Sequence, residues 1–113
     1  MVLSFGNIGN PFWTRAVLFL EKLHQQYAPR GVIIVAVALD TDKQAVKAFV
    51  DKHKLTLPVA VDSEKLTGAE LYKVTALPTT VFTDRSHRVT MRQLGFSKQH
   101  EKLFEDEIRK LAQ

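Results

Sequence analysis

The chain has 113 residues, 45% hydrophobic and 25% charged, the length and mix of one globular domain rather than a disordered or fibrous chain. Its net charge is +4, but the sixteen Lys and Arg are scattered among acids (Glu21-Lys22, Asp42-Lys43, Asp51-Lys52, Glu64-Lys65), which describes solvated helix faces and argues against nucleic acid as a partner. The absence of cysteine excludes disulfides, thiolate metal sites and thiol nucleophiles from this chain.

Residues 2–5 (VLSF) are a short apolar run that predicts a first strand. Phe12, Ala16, Phe19, Leu20, Leu23 and Tyr27 then recur at helical spacing over 11–27. Asn10 suits the cap of that helix and Pro11 its first turn, while Pro29 and Gly31 close it. Residues 32–39 (VIIVAVAL) form a continuous β-branched run, the pattern of a strand buried on both faces in the middle of a sheet. Thr41 and Gln44 have the spacing of a capping box, and Val46, Phe49 and Val50 mark the inner stripe of a helix over about 43–53. Residues 58–61 (PVAV) predict a short strand ended by Asp62-Ser63. A third helix is expected over about 64–73, with Leu66, Ala69 and Tyr72 turned inward. Residues 79–83 (TTVFT) and 88–94 (RVTMRQL) predict two strands joined by a turn over 84–87. Gly95 ends the second, Ser97 caps, and Phe104, Ile108 and Leu111 define a last helix.

The order β-α-β-α-β-α-β-β-α predicts parallel crossovers followed by an antiparallel hairpin. The fold class is therefore α/β, a mixed central sheet with helices on both faces, in a single domain over 1–113. No apolar stretch approaches the ~20 residues that span a bilayer. Met1-Val2-Leu3-Ser4 lacks the basic start of a secretory signal, which leaves the compartment open.

Side chains able to do chemistry are few. Ser4, Thr14 and Thr79 carry hydroxyls, but a hydroxyl nucleophile needs a base within hydrogen-bond reach. His24, His53, His87 and His100 are expected on helix surfaces or in the distal turn. None of their spacings suits a metal, so neither a metal nor a cofactor is expected. Two segments stand out. Ala76-Leu77-Pro78-Thr79-Thr80 brings a proline to the start of a strand, where a cis bond is plausible. Asn7-Ile8-Gly9-Asn10-Pro11-Phe12-Trp13 joins the first strand to the first helix with an unusual mixture of turn formers and aromatics.

Together with VIIVAVALD, LPVAVD, ELYKV, ALPTTVFTDR, HRV and LGF, these segments make the chain resemble the thioredoxin-like superfamily. Within it the likeness is to the TlpA/ResA and AhpC/TSA-like thiol-disulfide oxidoreductases, and it covers essentially the whole chain. The resemblance implies a thioredoxin-like fold, a cis-proline at Pro78, and a redox motif W-x-x-W-C-x-x-C after Phe5. Laid on this sequence without gaps, the two cysteine positions of that motif fall on Asn10 and Trp13, with Pro11-Phe12 between them. Its tryptophans fall on Gly6 and Gly9, and Leu18 stands where the family often has a proline. Departures concentrate at the active site and spare the scaffold, which separates site from fold.

Dithiol exchange needs a thiolate, and neither Asn10 nor Trp13 supplies one. The resemblance therefore implies a redox-inactive domain that binds a polypeptide, or serves as a scaffold, through the groove between the first helix and the cis-proline. The expected binding residues are Gly9, Asn10, Pro11, Phe12, Trp13, Leu77, Pro78 and Thr79, with Phe12 and Trp13 as aromatic anchors. The alternative is an enzyme of the same family that borrows a partner's cysteine or runs a different reaction in that groove. The first helix is apolar over Ala16-Val17-Leu18-Phe19-Leu20, wider than one buried stripe needs, so a homodimer through it is also an expectation. The family is often periplasmic or otherwise extracytoplasmic.

Overall fold

The computed structural model describes residues 1–62 and 72–113. Its elements in chain order are β1 (Val2–Gly6), α1 (Pro11–Tyr27), β2 (Ile34–Ala38), α2 (Lys43–His53), β3 (Val59–Val61), β4 (Thr79–Thr83), β5 (Val89–Leu94) and α3 (Glu101–Leu111). The five strands form one sheet in the order β3-β2-β1-β4-β5. β1 runs parallel to β2 and β2 to β3, while β4 is antiparallel to both β1 and β5. This is the mixed sheet of a thioredoxin-like α/β fold.

Strand alternation divides the core in two. Val2 of β1, Ile34, Ala36 and Ala38 of β2 and Phe82 of β4 face one side, with Trp13, Ala16, Val17 and Leu20 of α1, Val46 and Phe49 of α2, and Phe104 and Ile108 of α3. The crossovers β1-α1-β2 and β2-α2-β3 step across the sheet in the same direction. Because parallel crossovers are right-handed, both helices lie on the same face. Leu3, Phe5, Val37 and Val81 form the opposite cluster, and the described residues that cover it include Tyr72, Val74 and Leu77. The helix expected over 64–73 lies outside the described residues except for Tyr72 and Lys73, which form a turn.

The first helix begins and ends as its residues dictate. Asn10 is the cap, Pro11 occupies the first turn, and Gly31 takes a left-handed conformation (φ 87°) after the 3-10 turn Ala28–Arg30. Its buried stripe is Trp13, Ala16, Val17, Leu20, Leu23 and Tyr27. This corrects the expected stripe: Phe12 is half exposed, and Phe19 sits at the edge of the core with its ring 6.0 Å from Phe96. The spacing i, i+3, i+4, i+7 starts at Trp13, one residue later than expected. The breadth of apolar character on α1 is mostly used inside the chain, with Phe12 and Leu18 left exposed.

Two further expectations are corrected. α2 starts at Lys43, so its cap is Asp42, whose carboxylate accepts from the N–H groups of Gln44 and Ala45 at 3.0 and 3.1 Å. Thr41 is one residue too early to reach them. Glu21 is not on a solvated face: it is buried, and its carboxylate accepts from the N–H groups of Thr56 (2.8 Å) and Leu57 (2.9 Å), the Thr56 hydroxyl, and Gln25 (2.7 Å). Glu21 thereby ties α1 to the loop that leads into β3.

Candidate functional site

The loop between β1 and α1 is set by short-range bonds. The Asn10 N–H donates to the carbonyl of Asn7 (3.0 Å), closing a turn. The Ile8 N–H donates to Asp40 at the end of β2 (3.1 Å). The Asn10 side-chain oxygen accepts from the N–H groups of Phe12 (2.9 Å) and Trp13 (3.3 Å), two donors that a helix start otherwise leaves without partners. Asn10 thus serves the backbone. Replacing it by alanine is expected to lower stability by about 1 kcal/mol, read as a lower urea midpoint, whereas serine should restore most of the loss.

Trp13 also serves the scaffold. It is fully buried, stacks on Phe49 with ring centroids 5.6 Å apart and planes 16° apart, and donates its indole N–H to the carbonyl of Ser4 at 3.1 Å. Its ring lies over Gly6, where an added Cβ would overlap Cγ, Cδ1 and Cδ2 of the indole. The side chain therefore points into the core and does not line a groove. Phe12, its neighbour, turns outward and is 50% exposed. The two aromatics expected as a pair of anchors are separated because adjacent helical residues point about 100° apart.

Across from Phe12 stands the turn before β4. The Leu77–Pro78 bond is cis. The Thr79 hydroxyl donates to the Ala76 carbonyl at 2.6 Å, and the Pro78 carbonyl accepts from the Gly95 N–H at 2.7 Å, fixing this turn to the end of β5. The result is a groove of about 460 Å³ lined by Phe12, Leu77, Pro78, Leu94, Phe96 and His100, with Ala76, Gly95 and Ser97 between them. Of the expected residues it collects Phe12, Leu77 and Pro78. Thr79 is buried behind it. Gly9 and Pro11 line a different depression on the far side of the α1 start, with Phe49 and His53.

Leu94, Phe96 and His100 were not expected at this site. The observed pairing of the two last strands puts Leu94 opposite Thr79, beside the proline, whereas a regular four-residue turn points to Arg92. His100 lies half-buried in the 3-10 turn that leads into α3. Its Nδ1 accepts from the Ser97 N–H at 3.0 Å, with the Ser97 hydroxyl 3.2 Å away, closing a capping box at the 3-10 turn Lys98–His100. Because that lone pair is taken by the backbone, the ring cannot also act through it as base to Ser97. The other hydroxyls are engaged as well: Ser4 with Thr80 at 3.0 Å, and Thr14 with the Asn10 carbonyl at 3.3 Å. Among the described residues, no group of His, Asp and Glu is arranged to hold a metal, and no helix is long and apolar enough to cross a membrane.

Known proteins of similar sequence and shape carry the same scaffold. The family model described as Redoxin matches residues 2–108. The thiol-disulfide oxidoreductase ResA of Oceanobacillus iheyensis is 39% identical over 64 residues, covering 57% of this chain and 33% of the relative. ResA of Bacillus thuringiensis subsp. konkukian is 31% identical over 97 residues, covering 83% of this chain and 53% of the relative. The chain thus spans about half, or less, of the length of the curated relatives it matches. In shape it is similar to a Chlorobium tepidum protein assigned as a thiol:disulfide interchange protein DsbE, with a TM-score of 0.92 at 23% identity over 99% of this chain and 79% of that one. StoA from Bacillus subtilis superposes with a TM-score of 0.80 at 18% identity, over 94% and 79% of the two chains. At such identities the likeness to solved structures concerns the fold alone. The chain belongs to the Redoxin family, as a thioredoxin-like domain of the thiol-disulfide oxidoreductase group that carries no cysteine.

Proposed function

We propose that this domain is a redox-inactive binding module that seats an extended polypeptide segment, without covalent capture, in the groove between the start of α1 and the Pro78 turn. The observation that carries the reading is the pair Phe12 and Leu94. They are 50% and 60% exposed, and both line the same predominantly apolar groove beside Leu77 and Pro78. Exposed large apolar side chains that converge on a concavity are what a docked apolar residue covers. At the same time the cap formed by Asn10 and the buried Trp13 leave no thiol chemistry at the redox-motif positions. Recognition then rests on apolar contacts, with an extended segment beside Leu77 in position to add main-chain hydrogen bonds.

Reduction of insulin by dithiothreitol is expected to proceed at the same rate with and without the protein. A phage-displayed library of random peptides selected on the protein should yield sequences rich in large apolar residues. Their binding should be lost in a Phe12→Ala/Leu94→Ala variant, whose fold is expected to persist because both side chains are exposed. Accelerated insulin reduction would refute the redox-inactive reading. Selected peptides that bind this variant as well as the parent would refute the groove.

A further inference from the structure

We infer that the groove takes an acidic segment: a polypeptide that seats apolar side chains between Phe12, Pro78 and Leu94 and sets carboxylates against Arg15, Lys22 and Lys98. This rests on the groove reading above and names the chemistry of its occupant. A second depression, of about 420 Å³, adjoins the first, and Phe96 lines both. Its floor is apolar, made by Phe96, Phe19 and Leu18, the last 38% exposed. Its rim is cationic. Arg15 and Lys22 are two turns apart on one side of α1, and Lys98 faces them from the 3-10 turn before α3, with Glu101 the one acid beside them.

The rim is continuous with the apolar groove, because the Arg15 guanidinium lies 5.8 Å from the Phe12 ring centroid. Its cations are also exposed. Among the described residues the ion pairs are all internal to α3, joining Lys102 and Arg109 to Asp106 and Lys110 to Glu107, and none engages Arg15, Lys22 or Lys98. Three cations facing one carboxylate across an apolar floor favour a ligand that is anionic and apolar in alternation, and disfavour a basic one. Geometry also sets a spacing. Phe12 and Lys22 are about 15 Å apart along the helix at 1.5 Å per residue. An extended peptide at ~3.3 Å per residue covers that distance in about four or five residues.

The same peptide selection tests this, repeated on a Lys22→Gln/Lys98→Gln variant. Peptides selected on the parent protein are expected to carry Asp or Glu about four or five residues from their apolar pair. A selected peptide should bind that variant about three- to tenfold more weakly at low ionic strength, and lose a similar factor on the parent in about 0.3 M salt. Its amide version, with Asp and Glu replaced by Asn and Gln, should bind both proteins alike. Selection of apolar peptides without acids, or affinity indifferent to these charges, would overturn the inference and leave the groove reading standing. Failure to obtain any peptide that depends on Phe12 and Leu94 would overturn both.

Discussion

Trp13→Ala is expected to lower the stability of the domain by about 3–5 kcal/mol, the range for truncating a large buried aromatic. The indole is fully buried, is stacked on Phe49, and satisfies the Ser4 carbonyl through its N–H. Alanine leaves a cavity between β1, α1 and α2 together with a buried carbonyl that has lost a donor. At ~4–8 °C per kcal/mol for a domain near this size, the melting temperature should fall by more than about 12 °C. The effect is tied to Gly6. A methyl group there overlaps the inner atoms of the indole, and those atoms cannot swing away as the tip of a flexible chain could. Gly6→Ala alone should therefore cost about 1–3 kcal/mol through overpacking. Made in the Trp13→Ala background, the same substitution should cost little, because the cavity admits the methyl. Urea melts of the two single variants and the double variant give the coupling directly. Strict additivity would mean that the glycine and the indole do not share that space.

Glu21→Ala is expected to cost about 2–3 kcal/mol, because it removes the acceptor for the N–H groups of Thr56 and Leu57 and for the Thr56 hydroxyl. Burial pushes the Glu21 carboxyl upward. The Thr56 hydroxyl, the Gln25 amide and the N–H groups of Leu57 and Thr56 together outweigh that and hold it below the ordinary glutamate range. A group whose pKa is lower folded than unfolded contributes its full stability above the unfolded value, about 4.3. That contribution is lost as pH falls through the folded value. The advantage of the parent protein over Glu21→Gln should accordingly be complete near pH 6 and shrink below about pH 4. Urea melts at the two ends of that range read it. An advantage that stayed constant across the range would mean that the charge on Glu21 is not what the loop recognises.

The elements were legible where the forces that make them are local. Asn10 caps through the N–H groups two and three residues on, Pro11 suits the first turn, and Gly31 adopts the left-handed conformation that ends the segment. The continuous run in β2 reads as central because both of its faces are covered. Thr41 was misplaced as a cap because a shift of one residue in the helix start, invisible to composition, transfers the role to Asp42. Glu21 reads as a surface charge beside Lys22 because its partners, Thr56 and Leu57, lie more than thirty positions away in the chain.

The site divides in the same way. Residue types alone establish that no thiol is available anywhere in the chain, that a proline enters β4, and that an aromatic pair opens α1. The sequence also contained the helical spacing that sends Phe12 and Trp13 in different directions, although the choice of which one faces the core depends on the space over Gly6. The lining of the groove follows from the strand pairing. A four-residue turn with regular pairing would place Thr79 opposite Arg92. The turn is one residue longer, so that Thr83 pairs with Val89, and the irregularity between Phe82 and Thr83 advances the pairing by one more; Leu94 then stands opposite Thr79, bringing Leu94, Phe96 and His100 to Pro78. Local propensity fixes where strands and helices begin. Which side chains meet depends on pairing and crossing between segments distant in the chain, and their neighbours in sequence carry no record of it.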